Sequence, residues 1–188
     1  MPYYKFIPII LLFNLSAYCQ KQTIMQWTSN KQLKWADYLG KPVVNSPFDA
    51  ITVAGDTVFY HLSNVNGRLK LIFTGYSLID KKKSWVKYDK RSEPLLKHEQ
   101  LHFDIAEFYF RQLMKTLNNR HFTANFHEVV NIIIKQDNKE RAIMDAVYDF
   151  QTQHSANLIM QDRWENYIHD LLKNDYSIEE AMQKEPKL

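Results

Sequence analysis

Cysteine is nearly absent from this chain of 188 residues, in which Cys19 is the only one. If the first nineteen residues are removed, the remainder has no thiol and can form neither a disulfide bond nor a thiolate metal site. Any metal that the remainder binds must therefore be held by histidine and carboxylate side chains. All seven histidines lie after Cys19 and are available for that role.

Long apolar runs are missing as well. The most apolar stretch lies near the N-terminus, follows a short basic lead and is too short to span a bilayer. The residues that follow it place Ala17 at position −3 and Cys19 at position −1 of a cleavage site, which is typical of a secretory signal peptide over residues 1–19. We therefore expect an exported protein, periplasmic or extracellular, whose residues 20–188 form one domain.

A lipid anchor on Cys19 is the alternative interpretation of the same segment. Lipoprotein processing usually requires a small residue immediately before the cysteine, where this chain has Tyr18. We therefore expect cleavage in preference to acylation, and no stable membrane span after processing.

Charge of one sign is not in large excess either. The formal net charge is +3, and the lysines are dispersed along the chain without the basic stripe that phosphate binding requires. Nucleic acid is therefore not an expected partner. The oligomeric state is left open by the sequence.

Glycine and proline are distributed unevenly. All four glycines lie within residues 40–75, and neither residue type occurs between Leu95 and Glu185. Turn residues at short intervals favour strands, whereas a long stretch without them permits long helices. The sequence therefore predicts an α+β fold in which an N-terminal antiparallel sheet precedes a helical half.

Four segments rich in β-branched and aromatic residues are predicted as antiparallel strands, at residues 50–54, 57–62, 68–74 and 84–88. In the helical half, Pro94 opens a helix that continues to about Leu117 and packs beneath the sheet. Two or three further helices are expected near residues 126–134, 139–152 and 156–173, with clusters of Asn and Asp as joints.

The helix that begins near Pro94 contains the pattern His-Glu-X-X-His, HExxH, at residues 98–102. Side chains four residues apart are separated by about 40° around a helix, so His98 and His102 face one way and can bind one Zn²⁺. Glu99 lies about 100° from His98, beside the metal rather than on it. That position suits a general base that takes a proton from an attacking water and delivers it to a leaving group.

The motif supplies two ligands, and a catalytic zinc needs a third from the protein. Glu107 lies about 180° around the helix from His98 and cannot complete the same cluster. His121 and His127, in the connection after the helix, are alternatives. His154 is the stronger candidate because it stands beside a carboxylate and a phenol at the end of a later helix.

Neighbouring side chains suit supporting roles. The Tyr148 phenol is a candidate donor to the oxyanion that forms when water adds to a carbonyl. Asp104 and Asp149 are candidates to accept the distal N–H of a ligand imidazole. The strand at residues 84–88 is a candidate to pair with an extended peptide. Each also has a structural interpretation, as a core tyrosine, a solvated carboxylate or a simple edge strand.

The segment around the motif, residues 95–107, resembles the signature of a bacterial family described as predicted secreted zinc-dependent proteases. The resemblance extends over residues 33–164. It includes an opening block at residues 33–42, the pair Ser84 and Trp85, and a C-terminal block with Tyr148, Asp149, Thr152, His154, Gln161 and Trp164. It implies zinc and proteolysis. Leu101 and Ser155 depart from the pattern, because many members have glycine at both positions.

The sequence thus predicts a zincin-like, secreted zinc hydrolase, most simply a metallopeptidase acting on a peptide or protein. His98, His102 and His154 are the predicted metal ligands, and Glu99 and Tyr148 are the predicted catalytic residues. Two alternatives remain. The same metal site could serve an amidase or esterase for non-peptide or cell-wall substrates, or zinc could stabilise a binding module without activity.

Overall fold

The computed structural model describes residues 23–65, 68–122, 125–174 and 176–187, so the predicted signal peptide at residues 1–19 lies outside the described residues. The strands are β1 (Ile24–Gln26), β2 (Ala50–Ile51), β3 (Ala54–Val65), β4 (Arg68–Asp80) and β5 (Trp85–Val86). The helices are α1 (Glu93–Asn119), α2 (Phe126–Thr152), α3 (Leu158–Lys173) and α4 (Ile178–Lys184). A small antiparallel β half therefore precedes four helices, which confirms the predicted mixed class. Among the helices described, none has the length and apolar character needed to cross a membrane.

The β half consists of two small antiparallel sheets rather than the single sheet that the sequence predicts. Strands β3 and β4 form a long hairpin whose register runs from Ala54 opposite Ile79 to Val65 opposite Arg68, and β1 pairs with the other edge of β4. Strands β2 and β5 pair with each other in a separate sheet. The sequence does not predict β1, because three residues are too few to show an alternating pattern.

Strand β5 is enclosed on the side away from β2. The Gly40 N–H donates to the Ser84 carbonyl at 2.8 Å. A Cβ at Gly40 would lie 2.7 Å from that same oxygen, so this close approach requires glycine. Ser84, Trp85 and Val86 are all buried. At Ser84 this edge is therefore already occupied, and pairing of a peptide with the rest of residues 84–88 stays a prediction.

Helix α1 begins as predicted and packs between the sheet and the other helices. The Ser92 side chain caps it by accepting from the Leu95 N–H at 3.3 Å, and Pro94 occupies the first turn. The helix contacts β3 and β4 on one side and α2 and α3 on the other. Because it faces packed elements on both sides, the stretch from Phe103 to Tyr109 is buried without interruption.

Helix α2 is one continuous helix, which corrects the prediction of two helices joined near residue 137. Polar residues at the expected joint do not break it, since Asn138 and Lys139 face solvent while Asp137 faces inward. No glycine or proline is present to end the helix there. Helix α4 is not among the predicted helices, although the sequence carries its signal, a capping box between Ser177 and Glu180.

Two clusters of buried side chains meet at the start of α1. The N-terminal core joins the strands to α1 and includes Met25, Leu33, Tyr38, Ala50, Ile79, Val86, Leu95 and Phe103. The C-terminal core joins α1 to the later helices and includes Leu101, Ile105, Phe108, Met144, Tyr148, Trp164 and Ile168. Residues 98 and 99 lie on α1 between Leu95 of one core and Leu101 of the other. The HExxH segment therefore occupies the seam between the two halves of the chain.

Two carboxylates, Asp56 on β3 and Asp137 on α2, come together away from this seam. Asp137 is only 8% exposed. Burial, together with the negative charge of Asp56, raises the pKa of Asp137 to about 7, against the lowering effect of Arg141. Arg141 lies 4.0 Å from Asp56 and partly compensates that carboxylate as well.

We expect Asp137→Asn to stabilise the protein in a pH-dependent manner. Between about pH 4 and pH 7 the folded chain holds a proton on Asp137 that the unfolded chain releases, so the native residue lowers the free energy of unfolding as pH rises. The substitution should raise that free energy by about 1–3 kcal/mol at pH 8 and by little below pH 4. Urea titrations at both pH values measure this. Asp162→Asn, at an exposed position on α3, is the control; an equal gain at both pH values would contradict the prediction.

Candidate metal centre

Two imidazoles on α1 and one carboxylate on α2 converge in the seam. His98 and His102 stand one turn apart, and the Nε2 atom of each lies 3.0 Å from Oδ1 of Asp149, in the last turn of α2. The ligand atoms of these three residues all lie within 4.8 Å of one another, and this is the one such group of histidines and carboxylates among the residues described. The predicted shared direction of the two histidines is therefore present in the structure.

The second nitrogen of each imidazole is held by a separate acceptor. His98 Nδ1 lies 3.2 Å from Oε1 of Gln161 on α3, with the Thr152 hydroxyl at 3.4 Å. His102 Nδ1 lies 2.8 Å from Oδ1 of Asp145. An N–H on each Nδ1 satisfies these acceptors and leaves both Nε2 atoms as the basic nitrogens. In this tautomer the two rings present lone pairs to the same point, whereas with protons on Nε2 they donate to Asp149 instead.

These three side chains fit a zinc ion by their chemistry and spacing. Two neutral imidazole nitrogens and one carboxylate oxygen form a common ligand set for zinc in proteins. Ligand atoms about 2.0–2.2 Å from a tetrahedral metal lie roughly 3.3–3.6 Å from one another. The 3.0 Å separations between Asp149 and the two Nε2 atoms are a few tenths of an ångström shorter, so a small outward shift of the carboxylate would admit the ion. Acceptors on the distal nitrogens complete the arrangement expected around metal-binding histidines.

The carboxylates around the two histidines favour a positive charge in the cluster. Burial lowers the pKa of His102, but hydrogen bonds with Asp145 and Asp149 outweigh burial and place the pKa well above its ordinary value. Burial raises the pKa of Asp149, but hydrogen bonds from His102 and His98 outweigh it and hold the pKa below its ordinary range. Either a proton on His102 or a divalent cation at the Nε2 atoms would supply that positive charge.

Glu99 lies beside the cluster and is held from the β half. It is 4% exposed, and its Oε2 accepts a hydrogen bond of 2.6 Å from the Thr52 hydroxyl. Because Thr52 uses its proton on Glu99, the Tyr38 hydroxyl, also 2.6 Å away, is the donor to Thr52. Burial raises the pKa of Tyr38 well above its ordinary value, which keeps its proton in place. This chain of hydrogen bonds fixes the direction of the Glu99 carboxylate.

A cleft of about 490 Å³ opens over these side chains. Its walls come from both halves of the protein: residues 47–52 around β2 on one side, and the end of α2 with the following turn on the other. His98, Glu99, His102, Asp145 and Asp149 all line it. The cleft therefore gives a bound molecule access to both the predicted ligands and the predicted base.

His154, the predicted third ligand, lies at the edge of the cleft. Its side chain is 55% exposed, and its Nδ1 lies 3.5 Å from Oδ1 of Asp149. It does not belong to the group of three residues whose ligand atoms lie within 4.8 Å of one another. Its ring contacts Phe48 edge to face across the cleft, with centroids 5.4 Å apart. Coordination by His154 stays a prediction.

The structure places the Tyr148 hydroxyl beneath His98 and not in the cleft. Tyr148 is fully buried, its ring stacks on the His98 imidazole with centroids 4.5 Å apart, and its hydroxyl donates to Gln161 Oε1 at 2.8 Å. Burial raises the pKa of this phenol well above its ordinary value, so it remains a hydrogen-bond donor. Tyr148 therefore contacts the His98 imidazole, and its hydroxyl is not placed to donate to a substrate carbonyl in the cleft.

The other predicted candidates lie away from the cluster. His127 stands in the first turn of α2, 22 residues before Asp149, and a helix of that length spans about 33 Å. His121 precedes the same end of α2, so neither histidine can join the ligands. Asp104 accepts from Trp27 Nε1 at 2.7 Å and Gln100 Nε2 at 2.9 Å, and therefore holds no ligand imidazole.

Sequence reasoning did not identify Asp145 and Gln161 as acceptors for the histidines. For Asp145 a signal was available: it stands four residues before Asp149, so both carboxylates face the same side of α2. For Gln161 no local pattern points to the site, because it reaches His98 from a different helix.

The turn that carries His154 has an unusual backbone. Gln153, His154 and Ser155 all have positive φ, at 48°, 50° and 77°. Each such residue other than glycine costs on the order of 1 kcal/mol. The turn links the end of α2 to Asn157, which caps α3. The strain is thus located directly beside the cleft.

We expect Ser155→Gly to stabilise the protein by about 0.5–1 kcal/mol, because glycine adopts positive φ without a Cβ clash. Thermal and urea unfolding would measure the gain. Ser155→Ala is the matched control, since it removes the hydroxyl but keeps the Cβ, and it should give no gain. Equal effects of the two substitutions would show that backbone strain at this position is not relieved by glycine.

Comparison of the chain with known proteins returns no match to a family model, to a curated protein or to a solved structure. The family resemblance of the HExxH segment therefore stays a prediction. The basis for assigning a function is the geometry of the seam itself.

Proposed function

We propose that this protein is a zinc-dependent hydrolase in which His98, His102 and Asp149 bind the metal and Glu99 is the general base. The observation that carries the proposal is the convergence of two imidazole Nε2 atoms on one carboxylate oxygen, both at 3.0 Å. In addition, each Nδ1 has its own acceptor. A pair of histidines oriented in this way on an HExxH helix is what a catalytic zinc requires.

The ligand set differs from the one predicted from the sequence in its third member. Asp149 replaces His154, because its Oδ1 lies within hydrogen-bond distance of both Nε2 atoms. His154 lies behind it, at 3.5 Å from the same oxygen. In the proposed centre, His154 would orient the Asp149 carboxylate and face the substrate side of the cleft.

Zinc bound here would polarise a substrate carbonyl and lower the pKa of a water molecule, as it does in other zinc hydrolases. Glu99 takes the proton from the attacking water and passes it to the leaving group. The Thr52 hydroxyl occupies one carboxylate oxygen of Glu99 and leaves the other for that proton. The carboxylate is 4% exposed, so bulk water has little access to it before substrate arrives.

A polypeptide is the substrate class that the cleft favours. One wall is the segment 47–52, which contains the two-residue strand β2. An extended peptide laid alongside such a segment can present its backbone carbonyl to the metal and Glu99, with pairing through the main chain. The opposite wall, at Gln153–Ala156, limits the width of the cleft and so favours a slender chain over a bulky one.

The metal ligands can be identified by zinc content. We expect purified protein, stripped with a chelator and reloaded, to bind zinc stoichiometrically. His98→Ala and Asp149→Ala should weaken binding more than about 100-fold, since removing a ligand atom costs more than removing an outer hydrogen-bond partner. His154→Ala should retain zinc, as should His121→Ala, the control distant from the site.

Two results would change this assignment. If His154→Ala lost zinc while Asp149→Ala kept it, the histidine would be the third ligand as the sequence predicts. If wild-type protein bound no zinc, the cluster would be an ion-pair network between histidines and aspartates, and the protein would not be a zinc enzyme.

Catalysis by Glu99 can be separated from metal binding. We expect Glu99→Gln to retain zinc and to lower kcat for hydrolysis of denatured polypeptide by about 10²- to 10⁴-fold, because the amide cannot accept the proton. Cleavage would be followed by mass spectrometry of the products. Glu93→Gln, at an exposed position in the first turn of the same helix, is the control for loss of charge.

The same assay tests the alternatives. Hydrolysis of small amides, esters or cell-wall fragments without cleavage of any polypeptide would favour an amidase or esterase. Zinc binding without turnover of either class, and with no effect of Glu99→Gln, would favour a non-catalytic module.

A further inference from the structure

Gln161, on α3, carries a buried polar group without a partner. The residue is 3% exposed, and its Nε2 makes no hydrogen bond with any described residue. Its Oε1 is used twice, accepting from the Tyr148 hydroxyl at 2.8 Å and from His98 Nδ1 at 3.2 Å. An unpartnered buried amide is unfavourable. Its presence indicates that the oxygen at this place is needed.

The need for an oxygen follows from the proton on His98. A neutral imidazole carries its proton on one nitrogen, and the other nitrogen has the lone pair that binds a metal. Oε1 can only accept, so it places the proton on Nδ1 and leaves Nε2 basic. If the amide of Gln161 were rotated by 180°, its Nε2 would donate to His98 Nδ1, and the imidazole proton would then lie on His98 Nε2. The orientation of this one amide therefore decides whether His98 can bind a metal.

We propose that Gln161 is a positioning residue of the metal centre and that Tyr148 fixes its amide. The Tyr148 hydroxyl lies 2.8 Å from Oε1 and 3.2 Å from the His98 carbonyl oxygen, so its shorter contact is with the amide, while its ring stacks on the imidazole that the same oxygen orients. Tyr148 thus acts through Gln161 and His98 rather than on substrate. This inference rests on the proposed metal site and adds two residues to it, one from α2 and one from α3.

The two histidines are oriented by different chemistry, and burial explains the difference. The His102 side chain is 15% exposed and its acceptor is the carboxylate of Asp145. His98 is 2% exposed, and a second carboxylate beside it would be buried close to Glu99 and Asp149. Burial of an additional charge is costly. Glutamine provides the accepting oxygen without that charge.

Zinc affinity, measured by competition with a chromogenic chelator, tests the proposal. Gln161→Met keeps the apolar volume but removes the acceptor, and we expect it to weaken zinc binding about 10- to 100-fold. Gln161→Glu keeps an accepting oxygen but adds a buried charge, so it should retain most of the zinc affinity of the wild type while lowering the thermal stability of the metal-free protein. Tyr148→Phe should give an intermediate loss, because the amide loses its fixing donor.

Ile168→Val is the matched control for loss of packing. Ile168 is fully buried on α3, the helix that carries Gln161, and belongs to the same core cluster as Tyr148. Its substitution should lower the thermal stability of the metal-free protein without changing zinc affinity. A second readout is the visible spectrum of the Co²⁺ form, which depends on ligand geometry and should change with Gln161→Met but not with Ile168→Val.

The outcomes separate the inference from the proposed function. If wild type binds zinc and Gln161→Met binds it equally well, Gln161 is an ordinary core residue and the inference fails alone. If Gln161→Glu loses as much affinity as Gln161→Met, the accepting oxygen is not the cause and the inference also fails. If wild type binds no zinc, the metal centre and this inference fail together.

Discussion

The site depends on the antiparallel packing of α1 against an uninterrupted α2. His98 and His102 lie near the beginning of α1, and Asp145 and Asp149 lie near the end of α2, so the two helices must run in opposite directions for about five turns. At the far end of the pair, Leu113 and Leu117 of α1 pack in one cluster with residues from the start of α2. A break near residue 137 would remove this rigid connection and with it the position of both aspartates.

This packing also sets the electrostatics of the seam. Four carboxylates line one cleft: Lys87 lies 3.3 Å from that of Asp49, and the other three belong to Glu99, Asp145 and Asp149. The donors to these three are the two imidazoles of α1 for the aspartates and the Thr52 hydroxyl for the glutamate. Neutral imidazoles cannot balance three negative charges, so His102 has its pKa raised by Asp145 and Asp149 against the effect of burial. The same imbalance is what makes a divalent cation a suitable occupant.

How much of this could be predicted depends on whether a feature is local in the sequence. The helix that carries HExxH, its start near Pro94 and the shared face of His98 and His102 follow from spacing and capping alone, and the structure has them. The predicted strands at residues 57–62 and 68–74 form the hairpin, but β3 and β4 extend beyond them, because each continues through a glycine, Gly55 or Gly75, that a sequence pattern treats as a turn residue. The choice between Asp149 and His154 could not be made, since they are five residues apart and only the end of α2 decides which one faces α1. The direction of the Tyr148 hydroxyl depends on Gln161, thirteen residues away on another helix.

The proposed centre is assembled from every part of the fold, and this has a thermodynamic consequence. Thr52 follows β2, the histidines belong to α1, Asp149 to α2 and Gln161 to α3, so no single element can form the site by itself. A ligand that binds only the assembled arrangement stabilises the folded chain in proportion to the logarithm of its concentration over Kd. Zinc binding would therefore hold α1 and α2 together at the seam, next to the Thr52–Glu99 hydrogen bond that joins α1 to the β half. Stability and catalysis in this protein would then depend on the same contacts.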